Sequence, residues 1–232
     1  MKIIGYSERG AMNALFYEMA FDKKTGEENM REFLKLAKIE NSEKFSDFEI
    51  YNEFSLSEFG NPDLVIIAKR EDNVRVVFFI EAKVSACNGF RINTAYNNYE
   101  KNCDTSNLFY QIKQKEAFFN VRREIPTHTE ESASIDTIMG PRNIGNNPVV
   151  RKFADYLKEC SEAEYIAIIP TVSCETDERW KKKFPNLKIF FWEDLYNKFK
   201  GIEPFIETIE YNQAEDPKTV SKKLKSQIMN KL

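Results

Sequence analysis

The sequence predicts an α/β domain in which helices flank a β-sheet. Two apolar runs rich in β-branched and aromatic residues, 64–68 and 74–80, are separated by a polar turn and predict a two-stranded hairpin. The short apolar runs 165–169 and 187–191 predict two further strands, and the segments around them carry helical apolar spacing. The 232 residues, 42% of them hydrophobic, suffice for a packed core.

The first helix begins near Ser7, a residue type that favours the N-cap position. Met12, Leu15 and Met19 recur at helical spacing, so they predict one buried stripe. Glu8 falls in line with this stripe at its N-terminal end. We therefore expect Glu8 either to complement the helix dipole or to reach a site beside the helix.

The remaining elements follow in the order of an α/β domain. A polar break at 22–26 separates the first helix from a second one, and residues 48–56 predict a strand that leads into the hairpin. A helix begins near Leu108, and residues 122–147 are polar and irregular, which is typical of an insertion. We assign residues 1–210 to one domain and residues 211–232 to an amphipathic helical tail, because its apolar residues recur at helical spacing.

Charged residues stand at the paired ends of the predicted hairpin. Asp63 opens the first strand, and Glu81 and Lys83 close the second. Antiparallel pairing brings these ends together, and a spacing of two places Glu81 and Lys83 on one face. Two carboxylates and a lysine around one point suit metal-assisted hydrolysis of a phosphodiester, whereas a hairpin with solvated charged ends is the plain alternative.

Pro62-Asp63 followed by Glu81-Ala82-Lys83 resembles the PD-(D/E)xK motif of the restriction-endonuclease-like nuclease superfamily. The resemblance implies a three-layer α/β/α fold with a mixed central sheet over residues 1–210. It also implies Asp63 and Glu81 as ligands of Mg²⁺ or Mn²⁺, the backbone carbonyl of Ala82 as a further ligand, and Lys83 as the catalytic lysine.

The same resemblance implies two further site residues. Many members of the superfamily add an acidic metal ligand from the first helix, and Glu8 matches that position, with Glu18 and Glu53 as rivals. The helix after the lysine strand often carries a glutamine that faces the metal or the nucleic acid, and Gln111 looks like that residue. The plain alternative for Gln111 is a surface position on the helix.

Composition narrows the class of protein. A net charge of −3 and a pI near 5.5 argue against a non-specific coat for nucleic acid. The four cysteines form no Cys-x-x-Cys pair and His128 is the single histidine, which argues against a zinc site and predicts reduced cysteines in a cytoplasmic protein. The sequence contains no apolar run long enough for a signal peptide or a membrane span.

These observations predict a Mg²⁺-dependent nuclease that acts on DNA. The alternative is a catalytically silent protein of the same fold that binds nucleic acid or scaffolds a defence or repair assembly. The sequence leaves open DNA against RNA, endonuclease against exonuclease action, and the oligomeric state. A homodimer would supply the two active sites that double-strand cleavage calls for.

Overall fold

The computed structural model describes residues 7–21, 23–52, 54–84, 90–101, 107–126, 134–144, 147–170 and 179–212. The helices are α1 (Ser7–Phe21), α2 (Lys23–Leu36), α3 (Ile92–Glu100), α4 (Leu108–Val121), α5 (Pro148–Leu157), α6 (Arg179–Lys183), α7 (Trp192–Lys198) and α8 (Glu203–Asn212). The strands are β1 (Phe45–Asn52), β2 (Leu64–Arg70), β3 (Arg75–Ala82), β4 (Ser134–Ile135), β5 (Arg142–Asn143), β6 (Cys160–Ile169) and β7 (Leu187–Phe191).

Five strands form one mixed sheet in the order β1-β2-β3-β6-β7. The first three strands are antiparallel neighbours, whereas β3, β6 and β7 run parallel to one another. The parallel connection from β3 to β6 runs through helices, as such crossovers require. The structure thus confirms the predicted α/β class and the mixed central sheet.

Helices cover both faces of this sheet, because its central strands carry apolar side chains on both sides. On one face, Val77 and Phe79 of β3 pack with α3, α4, α5 and α6. On the other face, Phe78 and Ile80 pack with α1, α2, α7 and α8. The alternation along β3 therefore fixes which helices each side chain meets.

Several local features differ from the sequence-based expectations. Strand β1 begins at Phe45, three residues before the predicted start, because Phe45 still pairs with Arg70. The polar segment after the hairpin, for which the sequence allows either a loop or a short helix, contains helix α3. The polar insertion contains the small β4–β5 hairpin, where the backbone N–H of Asn143 donates to the Glu58 carboxylate at 2.7 Å. Of the predicted tail, residues 213–232 lie outside the described part of the chain.

Candidate functional site

Asp63 lies at the point where the β2–β3 hairpin ends. Leu64 pairs with Ile80, so Asp63 stands beside the end of β3, as predicted from antiparallel pairing. Its Oδ2 atom accepts a hydrogen bond from the backbone N–H of Ala82 at 2.8 Å. Only 12% of the Asp63 side chain is exposed. The turn before β2 thus directs this carboxylate across the strand end and out of bulk water.

The surroundings of Asp63 disfavour its negative charge. Burial raises the pKa of Asp63 to about 6, and the neighbouring carboxylates of Glu81 and Glu8 add to this rise. The N–H of Ala82 and the charge of Lys83 act in the opposite direction and lower the pKa. Two carboxylates near each other raise a pKa in this way when no cation offsets them.

Glu81 points to the face of the sheet that α4 covers, where it meets Lys115. The Lys115 Nζ and Glu81 Oε1 atoms are 2.9 Å apart, and both side chains are fully buried. The contact is an ion pair without the angular geometry of a hydrogen bond, and the second oxygen, Oε2, is buried with no hydrogen-bond partner. Glu81 therefore offers one carboxylate oxygen that no described donor satisfies.

Lys115 is a residue of this site that the sequence analysis missed. It sits among apolar residues on α4 and follows Gln111 by four positions, so the two share one side of the helix. A lysine in an apolar helical stripe is a signal that it meets a buried acid. The position of the lysine in the sequence does not, however, identify the acidic residue or the strand that carries it.

Lys83 lies just beyond β3, and two backbone hydrogen bonds hold its main chain there. Its N–H donates to the carbonyl of Ile168 at 2.8 Å, and its carbonyl accepts from the Trp192 indole N–H at 3.0 Å. The Lys83 side chain is half-buried. Ala82 between the two charged residues packs on the opposite face, so the predicted alternation of Glu81 and Ala82 is confirmed.

The first turn of α1 reaches the same strand end. Glu8 Oε1 accepts from the backbone N–H of Val84 at 3.3 Å, and the next residue, Arg9, brings its Nε to 3.9 Å from Asp63 Oδ1. The structure thus brings Glu8 to the site. Glu18 is exposed further along α1, and Glu53 lies outside the described residues.

Gln111 occupies the side of α4 that carries Lys115. Its side chain is half-buried, and its Oε1 atom is buried without a hydrogen-bond partner. Gly60 closes this corner of the site with a φ of +75°, and a Cβ built there would lie 2.9 Å from Lys115 Nζ. The turn that precedes Asp63 therefore packs directly against the lysine that pairs with Glu81.

The carboxylates of Asp63, Glu81 and Glu8 are oxygen donors of the kind that a hard divalent cation prefers. The unsatisfied Oε2 of Glu81 and the raised pKa of Asp63 both fit such an ion. In the described part of the chain, however, no group of three or more His, Cys, Asp and Glu side chains is arranged to hold a metal. Glu81 is instead neutralised by Lys115.

Comparison of this chain with known proteins identifies no relative. No protein-family model matches the sequence. No curated protein matches it. No solved structure matches the fold. Among the described helices, none is long and apolar enough to cross a membrane.

Proposed function

We propose that this protein is a divalent-metal-dependent nuclease with a restriction-endonuclease-like fold, and that it hydrolyses phosphodiester bonds in DNA. The observation that carries the proposal is the meeting of Asp63, Glu81 and Lys83 at the paired ends of β2 and β3. The five-stranded mixed sheet with helices on both faces is compatible with that fold.

In this proposal, Asp63, Glu81, Glu8 and the backbone carbonyl of Ala82 would hold Mg²⁺ or Mn²⁺. A bound ion would supply Lewis-acid chemistry to the scissile phosphate and the leaving oxygen. Lys83 orients the attacking water or neutralises charge that develops on the phosphate. The half-buried amide of Gln111 contacts the nucleic acid or the water beside it.

The residues of the proposed site divide into those that react and those that hold them. Hydrogen bonds with Trp192 and Ile168 hold the main chain of Lys83, so they fix the position from which its side chain extends. The Ala82 N–H does the same for Asp63. Such fixed starting positions lower the cost of orienting groups for reaction.

A second candidate function is a catalytically silent protein of the same fold that binds nucleic acid or scaffolds an assembly. The complete burial of Glu81 and its pairing with Lys115 favour this alternative, because the ammonium already supplies the positive charge. Thermal stabilisation by Mg²⁺ or Mn²⁺ distinguishes the two, since an ion that binds only the folded protein raises its stability.

The proposal is tested by cleavage of single- and double-stranded DNA and RNA with Mg²⁺, with Mn²⁺ and with chelator. We expect cleavage of DNA that requires the ion and is lost in Lys83→Ala. Lys69→Ala is the matched control, because Lys69 lies on the same hairpin at its opposite end. No cleavage of any substrate together with no stabilisation by either ion would leave the silent alternative.

A cytoplasmic location and a homodimer remain predictions of this proposal. Gel filtration with light scattering measures the oligomeric state. Cleavage of both DNA strands by a strict monomer would remove the reason for expecting a dimer.

A further inference from the structure

We propose that Arg9 binds a phosphate oxygen of the nucleic-acid strand at this site, an inference that rests on the proposed nuclease function. It assigns a substrate-binding role to a residue that the PD-(D/E)xK motif does not contain. Three properties of Arg9 support it, namely its position, its exposure and the length of its contact with Asp63.

The position of Arg9 is fixed by the residue before it. Glu8 accepts a hydrogen bond from the Val84 N–H at 3.3 Å, which ties the first turn of α1 to the segment after Lys83. Arg9 consequently projects beside the same strand end. Its Nε atom lies 3.9 Å from Asp63 Oδ1.

The exposure of the two partners is unequal. The Arg9 side chain is 43% exposed and that of Asp63 is 12% exposed. The guanidinium is thus the solvent-facing partner of a buried acid.

The contact of 3.9 Å with Asp63 is too long to be a hydrogen bond, since N–H···O distances centre on about 2.9–3.0 Å and a contact of about 3.6 Å is already outside the range. Asp63 therefore attracts the guanidinium without engaging its donors at normal length. Arginine donors form a rigid planar fork that matches two oxygens of a phosphate. A cation held by Asp63 would weaken the attraction between Asp63 and Arg9, which would leave the guanidinium donors to a phosphate.

The other cations of the site are placed differently. Lys115 is fully buried against Glu81 and has no exposed surface to offer a substrate. Lys83 is of intermediate exposure, as Arg9 is, and it stands at the end of β3 and not on α1. Since the whole chain carries a net charge of −3, attraction of a polyanion has to come from local cations, and within the described part of the chain Arg9 places a 43% exposed one beside Asp63.

The test compares Arg9→Ala and Arg9→Lys with the wild type and with Arg123→Ala. Arg123 is exposed, and its neighbour Arg122 donates to the carbonyl of Cys160 at the start of β6, so Arg123 lies at the opposite end of the sheet. The readouts are KM and kcat for cleavage of a DNA oligonucleotide, its Kd by fluorescence anisotropy, and thermal stabilisation by Mn²⁺.

We expect Arg9→Ala to raise KM and Kd ~10- to 100-fold, the effect of losing one charge-assisted hydrogen bond. Arg9→Lys should show a smaller rise, because it keeps the charge and loses the fork. Stabilisation by Mn²⁺ should persist in both variants, and Arg123→Ala should match the wild type. Retained Mn²⁺ stabilisation also shows that the Arg9 variants are folded.

Unchanged KM and Kd in Arg9→Ala, with cleavage intact, would overturn the role of Arg9 and leave the nuclease proposal standing. Loss of Mn²⁺ stabilisation in both Arg9 variants would also overturn it, since Arg9 would then act on the metal site. If the wild type cleaves no substrate, DNA binding measured by anisotropy tests the role of Arg9. Weaker DNA binding by Arg9→Ala than by the wild type would support that role. No DNA binding by the wild type would reject both proposals.

Discussion

Replacing Asp63 by asparagine removes a buried negative charge and keeps the size of the side chain. The amide oxygen can still accept the hydrogen bond that the Ala82 N–H donates at 2.8 Å. The change therefore removes the charge with little loss of contacts. We expect Asp63→Asn to be more stable than the wild type near neutral pH when no divalent ion is present.

The size of the effect follows from the pKa of Asp63. Its ordinary value is 3.8, and burial together with repulsion from Glu81 raises the pKa to about 6 in the folded protein. Each unit of difference corresponds to about 1.4 kcal/mol, so the ionised carboxylate lowers the free energy of unfolding by about 3 kcal/mol. The Asp63 side chain is 12% exposed, which leaves limited screening by solvent.

The sign of the pH dependence is fixed by the direction of this shift. Because the pKa is higher in the folded state, the folded protein binds more protons than the unfolded chain between the two values. The Asp63 contribution to stability is therefore favourable at low pH and is lost as pH rises from about 4 to about 6. Asparagine has no such loss.

The assay is urea unfolding of both proteins in chelator at several pH values between 4 and 7.5. We expect the free energy of unfolding of Asp63→Asn minus that of the wild type to increase by about 2–3 kcal/mol over this range. Asp72→Asn is the matched control from the turn of the same hairpin. Hydrogen bonds from Arg70 hold the pKa of Asp72 below its ordinary value, so the difference between Asp72→Asn and the wild type should stay nearly constant above pH 4.

A difference between Asp63→Asn and the wild type that stays constant with pH, or decreases as pH rises, would refute the reasoning. Addition of Mn²⁺ extends the test to the proposed function. The ion should stabilise the wild type and reverse the order of the two proteins, since asparagine removes one of the proposed ligands.

Four further substitutions, one of them combined with another, test how the site is held together, and all are measured by urea unfolding. Lys115→Met should lower the free energy of unfolding by about 3–5 kcal/mol, because it leaves the Glu81 charge buried alone. The double variant Glu81→Gln/Lys115→Met should lose less free energy of unfolding than the sum of the two single variants. Additive losses would contradict the ion pair. Gly60→Ala should lower the free energy of unfolding by about 1–3 kcal/mol, because φ is +75° and the added Cβ would crowd Lys115. An unchanged free energy of unfolding would show that the turn relaxes. Trp192→Phe should lower the free energy of unfolding by about 1–3 kcal/mol, because it removes the hydrogen bond to the Lys83 carbonyl and reduces the buried volume. An unchanged urea midpoint would contradict the hydrogen bond.

The fold could be predicted where the chain follows a local period. The β2–β3 hairpin was predicted from two β-branched runs and one polar turn, and its pairing is confirmed. The buried stripe of α1 was predicted from Met12, Leu15 and Met19, and all three are fully buried. For helix α3 the sequence allows either a loop or a short helix, because its nine residues are mostly polar or aromatic and only Ile92, Ala95 and Tyr96 are buried.

In the candidate site, too, contacts within one hairpin could be predicted, whereas contacts with a distant helix could not. Neighbouring strand ends and a period of two place Asp63 and Glu81 together, and both rules operate within one hairpin. The Arg9 contact depends instead on α1, which packs on the other face of the sheet. No spacing in the sequence specifies how close that helix comes to Asp63.

By itself, the sequence determined the α/β class, the hairpin and the side of β3 on which Glu81 stands, because these follow from periodicity and short-range pairing. Only the tertiary structure decided the burial of Asp63, the pairing of Glu81 with Lys115 and the approach of Arg9. Each of these depends on how helices from distant parts of the chain pack against the two faces of the sheet. A buried charge takes its partner from whatever side chain that packing brings within reach.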